Sequence, residues 1–173
     1  MCFVALMLSA ETPGIRVSLQ PEQGRKSAPA FALKNAAGKD VTLADYRGKV
    51  LLLDFWATEC GGCVREIPWF MDLARNYKKR GLAVAGISVD VMYEDLKGPQ
   101  EAWDRVKPFV ETHQVNYPIL MGDDQVNKAY DTQALPLTYL IDKRGRIAAK
   151  YVGIVDKQNV EANIQAVLRE HGN

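Results

Sequence analysis

Val50-Leu51-Leu52-Leu53-Asp54-Phe55 runs through Trp56-Ala57-Thr58-Glu59 into Cys60-Gly61-Gly62-Cys63, and the reading of this stretch decides the fold. Val50 to Phe55 is continuously apolar except at Asp54, the pattern of a strand covered on both faces, as in a parallel or mixed central sheet. After Cys60, Val64, Ile67, Phe70, Leu73, Ala74 and Tyr77 recur at helical spacing. Gly81 is expected to end that helix, with Lys78, Lys79 and Arg80 at the negative end of its dipole. Pro68 lies inside it and is expected to kink it. The two cysteines therefore open a helix directly after a buried strand and a short exit segment.

Outward from this core the chain keeps alternating. Leu82 to Val89 reads as a second buried strand. Residues 90–116 hold a helical stretch marked by Trp103, Val106, Phe109, Val110 and His113, its regularity broken by Pro108. Pro118 to Met121 is a short strand and 124–131 a short helix. Thr138 to Ile141 and Ile147 to Val152 form a hairpin around Asp142 to Arg146. Val160, Ile164, Val167 and Leu168 mark a closing amphipathic helix that Asp156 caps. Upstream, Phe31 to Leu33 and Val41 to Leu43 form a small hairpin around Asn35 to Asp40. Together these give one three-layer α/β domain over 29–173: a central mixed sheet flanked by helices, with an N-terminal hairpin and a central insertion.

Residues 1–28 read as a lead-in, with Pro, Gly and polar residues but little periodicity over 11–29. Its apolar run, Cys2 to Leu8, is far too short to span a bilayer, which needs about 20 apolar residues. It reads as the remnant of a signal or tether, although no Lys or Arg precedes it. Cys2 has only Met1 before it, so no lipobox is readable, and it is expected to be a free thiol.

Composition narrows the function. The 173 residues are 47% hydrophobic and 25% charged, a globular balance that excludes disorder. Lys plus Arg is 22 and Asp plus Glu 21, a net charge of +1 that gives no reason to expect nucleic acid or an anionic membrane surface as partner. Three cysteines exclude a disulfide-built scaffold and leave a two-cysteine device at Cys60 and Cys63.

The placement of that pair points to redox chemistry. A thiol at a helix N-terminus faces unpaired N–H groups and the positive dipole end, which favour thiolate. Cys60 is then the nucleophile that attacks a partner disulfide, and Cys63, deeper on the helix, resolves the mixed disulfide. A structural zinc site needs four ligands, and Cys2, His113 and His171 supply no second pair at a recognisable spacing, so no metal is expected. Glu66, three residues after Cys63, shares its helix face and can take up the Cys63 proton if burial raises its pKa. Asp54, an acid in an apolar strand, is a second proton carrier or a structural hydrogen-bond partner.

Leu53 to Cys63 resembles the active-site segment of the thioredoxin superfamily. More narrowly, the chain resembles the TlpA-like and ResA-like thiol:disulfide oxidoreductases over about Pro29 to Leu168. The resemblance also rests on Gly48-Lys49-Val50, Glu66-Ile67-Pro68, the insertion after the second core strand, and Leu135-Pro136-Leu137-Thr138-Tyr139-Leu140-Ile141-Asp142. It implies a thioredoxin-like fold and a cis Pro136 set against the cysteine pair. It implies that the backbone before Pro136, at Leu135, receives a client strand, and that Glu66 and Asp54 match acids to which proton transfer is assigned. Trp56 is expected to line the site. The resemblance further implies an extracytoplasmic protein without a cofactor, acting as a monomer on client protein disulfides, apocytochrome c among them, and recharged by an upstream thiol reductant.

The sequence also departs from that family. Glu59 stands where the family usually has Trp; its charge is expected to raise the Cys60 pKa and to influence partner choice. Gly61-Gly62 replaces a dipeptide that usually contains Pro, so the family's redox potential does not carry over. A peroxiredoxin-like peroxidase is the rival enzyme, but it needs Thr three residues before its cysteine, where Ala57 stands, and no proline lies between Asp54 and Cys60. A copper-binding module on the same fold is the non-catalytic rival. It uses CxxxC and a distal His, against the CxxC found here.

Overall fold

The computed structural model describes residues 14–170; Cys2, the apolar run Cys2 to Leu8 and His171 lie outside them. The central strand, β3 (Val50–Trp56), is buried along its whole length. Burial of Leu51, Leu52 and Leu53 contributes roughly 2 kcal/mol each. On one side β3 pairs in parallel with β4 (Leu82–Ser88), from Val50 opposite Leu82 to Trp56 opposite Ser88. On the other it pairs antiparallel with β6 (Leu137–Ile141), Asp54 opposite Thr138. With β5 (Ile119–Met121) and β7 (Ile147–Val152) outermost, the sheet order is β5-β4-β3-β6-β7.

Parallel β3 and β4 need a crossover, and α1 (Gly61–Tyr77) supplies it. Pro68, expected to kink this helix, lies on its exposed side within an uninterrupted run. There the carbonyl that loses its N–H partner is free to bond water. A single 3-10 turn over Lys78–Arg80 then leads to Gly81, whose φ of 96° ends the helical path.

The stretch 90–116 holds two helices rather than one, α2 (Asp90–Tyr93) and α3 (Pro99–Thr112). The break falls at Gly98-Pro99, with proline fitting the first turn of α3, while Pro108 is carried on the exposed side of α3. Helix α4 (Asp124–Tyr130) precedes β6, and α5 (Lys157–Arg169) closes the chain. As expected, the Asp156 carboxylate caps α5, accepting from the Asn159 N–H at 2.8 Å.

The N-terminal hairpin forms as a two-stranded sheet of β1 (Ala32–Lys34) and β2 (Asp40–Thr42), and Asn35 bridges it to Leu120 on β5. Residues 14–28, expected as an irregular lead-in, are irregular in form but lie along β7. Gln20 N–H donates to Ala148 O, Ile147 N–H to Lys26 O, and Ile15 N–H to Ile154 O. Arg25 ties this segment to the end of α5. Its buried guanidinium donates to Asp142 (3.1 Å) and, through two nitrogens, to Glu170 (2.6 and 2.7 Å), while Arg146 also donates to Asp142 (2.9 Å).

Removing one partner of a buried ion cluster leaves charge uncompensated, so Arg25→Ala is expected to destabilise the protein by about 3 kcal/mol, read as a lowered midpoint in urea denaturation. A midpoint equal to wild type would show that Arg146 alone satisfies Asp142.

Candidate active site

The site begins where β3 ends. The Cys60 N–H donates to the Ala57 carbonyl at 3.1 Å, turning the chain so that Cys60 becomes the N-cap of α1. Its sulfur accepts from the Cys63 N–H at 3.2 Å and is joined to the Cys63 sulfur in a disulfide. Cys60 keeps 5% of its surface exposed and Cys63 none, so an incoming thiol can reach only the first sulfur.

A residue not singled out in the sequence holds this loop. The buried Asp90 carboxylate accepts from the Thr58 N–H at 3.0 Å, from the Thr58 hydroxyl, and from the Ser88 hydroxyl at 2.7 Å. Val89 N–H donates to the Trp56 carbonyl at 2.9 Å. The start of α2 thus pins the segment between β3 and the cysteines. The available signal was an acid directly after a buried apolar strand; its partner, Thr58, is 32 residues away.

The Leu135–Pro136 peptide bond is cis, as the resemblance implied, and Pro136 lies against the cysteine turn. A methyl group on Gly62 would sit 3.2 Å from two Pro136 ring carbons and 3.3 Å from Ile154 Cγ1, whereas Gly61 faces open space. The two glycines therefore differ: only at Gly62 would a side chain press on Pro136 and Ile154. Leu135 is half-buried and Glu59 exposed. Trp56, expected to line the site, is 1% exposed and packs on Phe109, with ring centroids 5.1 Å apart. It supports the loop from beneath and offers no surface to a client.

The large hydrophobic side chains left exposed among the described residues border the same region. Met92 and Tyr93 follow Asp90, Val152 precedes Gly153, and Ile15 packs against Gly153, whose N–H donates to the Pro136 carbonyl at 2.9 Å.

Both sequence-identified acids are buried. The Glu66 carboxylate accepts from the Val155 N–H at 2.6 Å. Burial pushes its pKa up to about 7, against the lowering effects of that hydrogen bond and of the Arg65 charge. Burial raises Asp54 well above the usual carboxylate range, and the Glu66 charge raises it further. Among the described residues no group of three or more His, Cys, Asp or Glu side chains is placed to hold a metal ion, and no helix is long and apolar enough to cross a membrane.

Residues 25–150 match the AhpC/TSA family. The thiol-disulfide oxidoreductase ResA of Geobacillus kaustophilus (strain HTA426) is 34% identical over 142 residues, spanning 82% of this chain and 76% of that protein. The chain belongs to this family of thioredoxin-like thiol-disulfide oxidoreductases. The thioredoxin-like protein YneN of Bacillus subtilis (strain 168) is 31% identical over 142 residues, 82% of this chain and 79% of its own. Among solved structures, a Chlorobium tepidum protein described as a thiol:disulfide interchange protein, DsbE, superposes with a TM-score of 0.72 at 29% identity, covering 83% of this chain and 96% of that one. The oxidoreductase fold shared with it is the one expected from the strand, CxxC and helix.

Because the Glu66 pKa is raised on folding, its stabilising contribution is complete below the unfolded value of 4.5 and is lost as pH rises through about 7. Glu66→Gln is neutral at every pH and keeps an acceptor for Val155. It is expected to be more stable than wild type at pH 8, by up to about 3 kcal/mol, and nearly equal at pH 5. Urea denaturation at the two pH values checks this; a constant difference between them would show that Glu66 is ionised throughout.

Proposed function

We propose that this oxidoreductase reduces disulfides in client proteins, with Cys60 as nucleophile and Cys63 as resolving thiol. The observation that carries the reading is one reachable sulfur at a helix N-terminus, with a second sulfur and two acids buried behind it. In the dithiol form the Cys60 thiolate attacks a client disulfide. A bond forms between Cys60 and one client sulfur, and the other client sulfur leaves as thiolate and takes up a proton. Cys63 then gives its proton to the buried acid pair, onto the Glu66 carboxylate while Asp54 is held neutral by its burial, and attacks Cys60. The Cys60–Cys63 disulfide forms and the client's remaining sulfur departs as thiolate. The client gains two electrons, and an upstream thiol reductant must restore the dithiol.

A Glu66 pKa of about 7 lets that acid both accept and release a proton near neutrality. Leu135 and Pro136 form the wall against which a client segment lies. Glu59, exposed beside Cys60, disfavours acidic clients and opposes thiolate formation. The reading extends to an extracytoplasmic setting, work as a monomer, and apocytochrome c among the clients; the resemblance to ResA-like proteins supports the setting and the clients.

A redox titration of the Cys60–Cys63 couple is expected to give a midpoint below about −200 mV; a value well above it would make the protein an oxidase or isomerase. Cys63→Ser is expected to accumulate a mixed disulfide between Cys60 and its client. Accumulation on Cys63 in Cys60→Ser instead would reverse the two roles.

A further inference from the structure

We propose that Tyr117 completes a hydrated proton relay with Asp54 and Glu66, connecting the buried end of the cysteine pair to the outside of the molecule. The inference rests on the reading of the two acids as proton carriers and extends it to a residue outside the cysteine motif.

Among the described residues seven buried side-chain polar atoms have no hydrogen-bond partner. One, Asn127 Oδ1, is on α4; the other six are both Asp54 oxygens, Glu66 Oε2, Trp56 Nε1, Thr138 Oγ1 and the Tyr117 hydroxyl. Buried polar groups without partners are rare, and this clustering is not scatter. Strand register places them together. Thr138 stands directly opposite Asp54 across the antiparallel pair, so the two side chains share a face. Trp56, two residues along, shares it too. The β4 partner of Asp54 is Gly86, and a methyl group there would meet Trp56 Nε1 at 3.0 Å and Ile119 Cδ1 at 2.7 Å.

Tyr117 enters this row from the β5 side. Gly86 N–H donates to the carbonyl of Pro118, the next residue, at 2.9 Å, and Gly86 pairs with Ile119. Asn116 Nδ2 donates to the Met71 carbonyl at 3.1 Å and fixes the segment against α1, which also carries Glu66. The other buried tyrosines each have a hydroxyl partner. Tyr77 donates to Glu161, Tyr130 to the Pro29 carbonyl and Tyr139 to the Tyr130 carbonyl, while Tyr151 accepts from Asn163. Only at Tyr117 does the hydroxyl lack one.

In this relay water molecules, each with several polar partners, complete the row. The charges acting on Tyr117 are Asp54 from β3 and Glu66 from α1, with Arg65 acting on Glu66. Burial first, and then both carboxylates, hold the phenol proton well above its usual range. Tyr117 therefore relays without ionising: it receives a proton on its oxygen as it gives its own away. When Cys63 surrenders a proton to the acids, one proton leaves at the far end and no electrons move. Tyr117 lines two surface grooves of about 600 and 610 Å³ that share Tyr117 and Pro118, and because its hydroxyl is itself buried the last step to solvent runs through a water that reaches the phenol from the groove.

The test uses the full, reduced chain reacting with the aromatic disulfide 5,5′-dithiobis(2-nitrobenzoate). Attack by Cys60 releases one coloured thiolate and resolution by Cys63 a second, so stopped-flow absorbance separates the steps. For Tyr117→Phe the first phase is expected to be unchanged. The second is expected to slow at least about tenfold near neutral pH, with a displaced pH midpoint. A wild-type second phase and pH profile in Tyr117→Phe, while Glu66→Gln or Asp54→Asn displaces them, overturns the relay and leaves the acids in place. No change in any of the three variants overturns the acid reading and the relay with it. Equal slowing of both phases by Tyr117→Phe, or a more stable variant with an unchanged profile, marks a merely structural hydroxyl and also overturns the relay.

Discussion

Asp54 occupies the middle strand of the sheet, where every other position of β3 is apolar and buried. An ionised carboxylate there would cost several kcal/mol without a partner, and its β-sheet neighbours, Gly86 and Thr138, bring no charge to compensate it. The strand is therefore compatible with Asp54 mainly as a neutral acid. The same strand ends at the turn that presents Cys60. Packing of the core and the protonation of Asp54 are thus one constraint, because whatever ionises Asp54 also loosens the strand that aims the loop.

Asp90 answers a different demand on that loop. Three residues separate the end of β3 from Cys60, and their backbone has no ladder to join. Two contacts from the β4–α2 junction, Asp90 to Thr58 and Val89 to Trp56, take the place of one. The acids divide accordingly: Asp90 has donors on both oxygens and holds position, whereas Asp54 and Glu66 are left with unpartnered oxygens.

Much of this was legible because the relevant patterns are local. The run Val50 to Phe55, the helical spacing after Cys60, the Asp156 cap and the acids at 54 and 66 each need only a short window to recognise. What escaped depends on distant pairing. Asp90 meets Thr58 across 32 residues, and Arg25 meets Asp142 and Glu170 across 117 and 145, so no periodicity announces them. Trp56 is instructive in another way. Alternation along β3 puts it on the Asp54 face, toward the core, and that rule outweighs its nearness in sequence to the cysteines. Pro108 drew attention from Gly98-Pro99 because a proline on the exposed side of a helix is tolerated, while glycine followed by proline starts a new one.

The two outer strands of the sheet are covered by chain that belongs to neither: residues 14–28 along β7, and Asn35 against β5. An open strand edge is a template that another chain can extend. The segment 14–28 occupies the β7 edge along its length, while β5 is met at one point, Asn35 against Leu120. On the β7 side the protein thereby carries a built-in guard against pairing edge to edge with another chain.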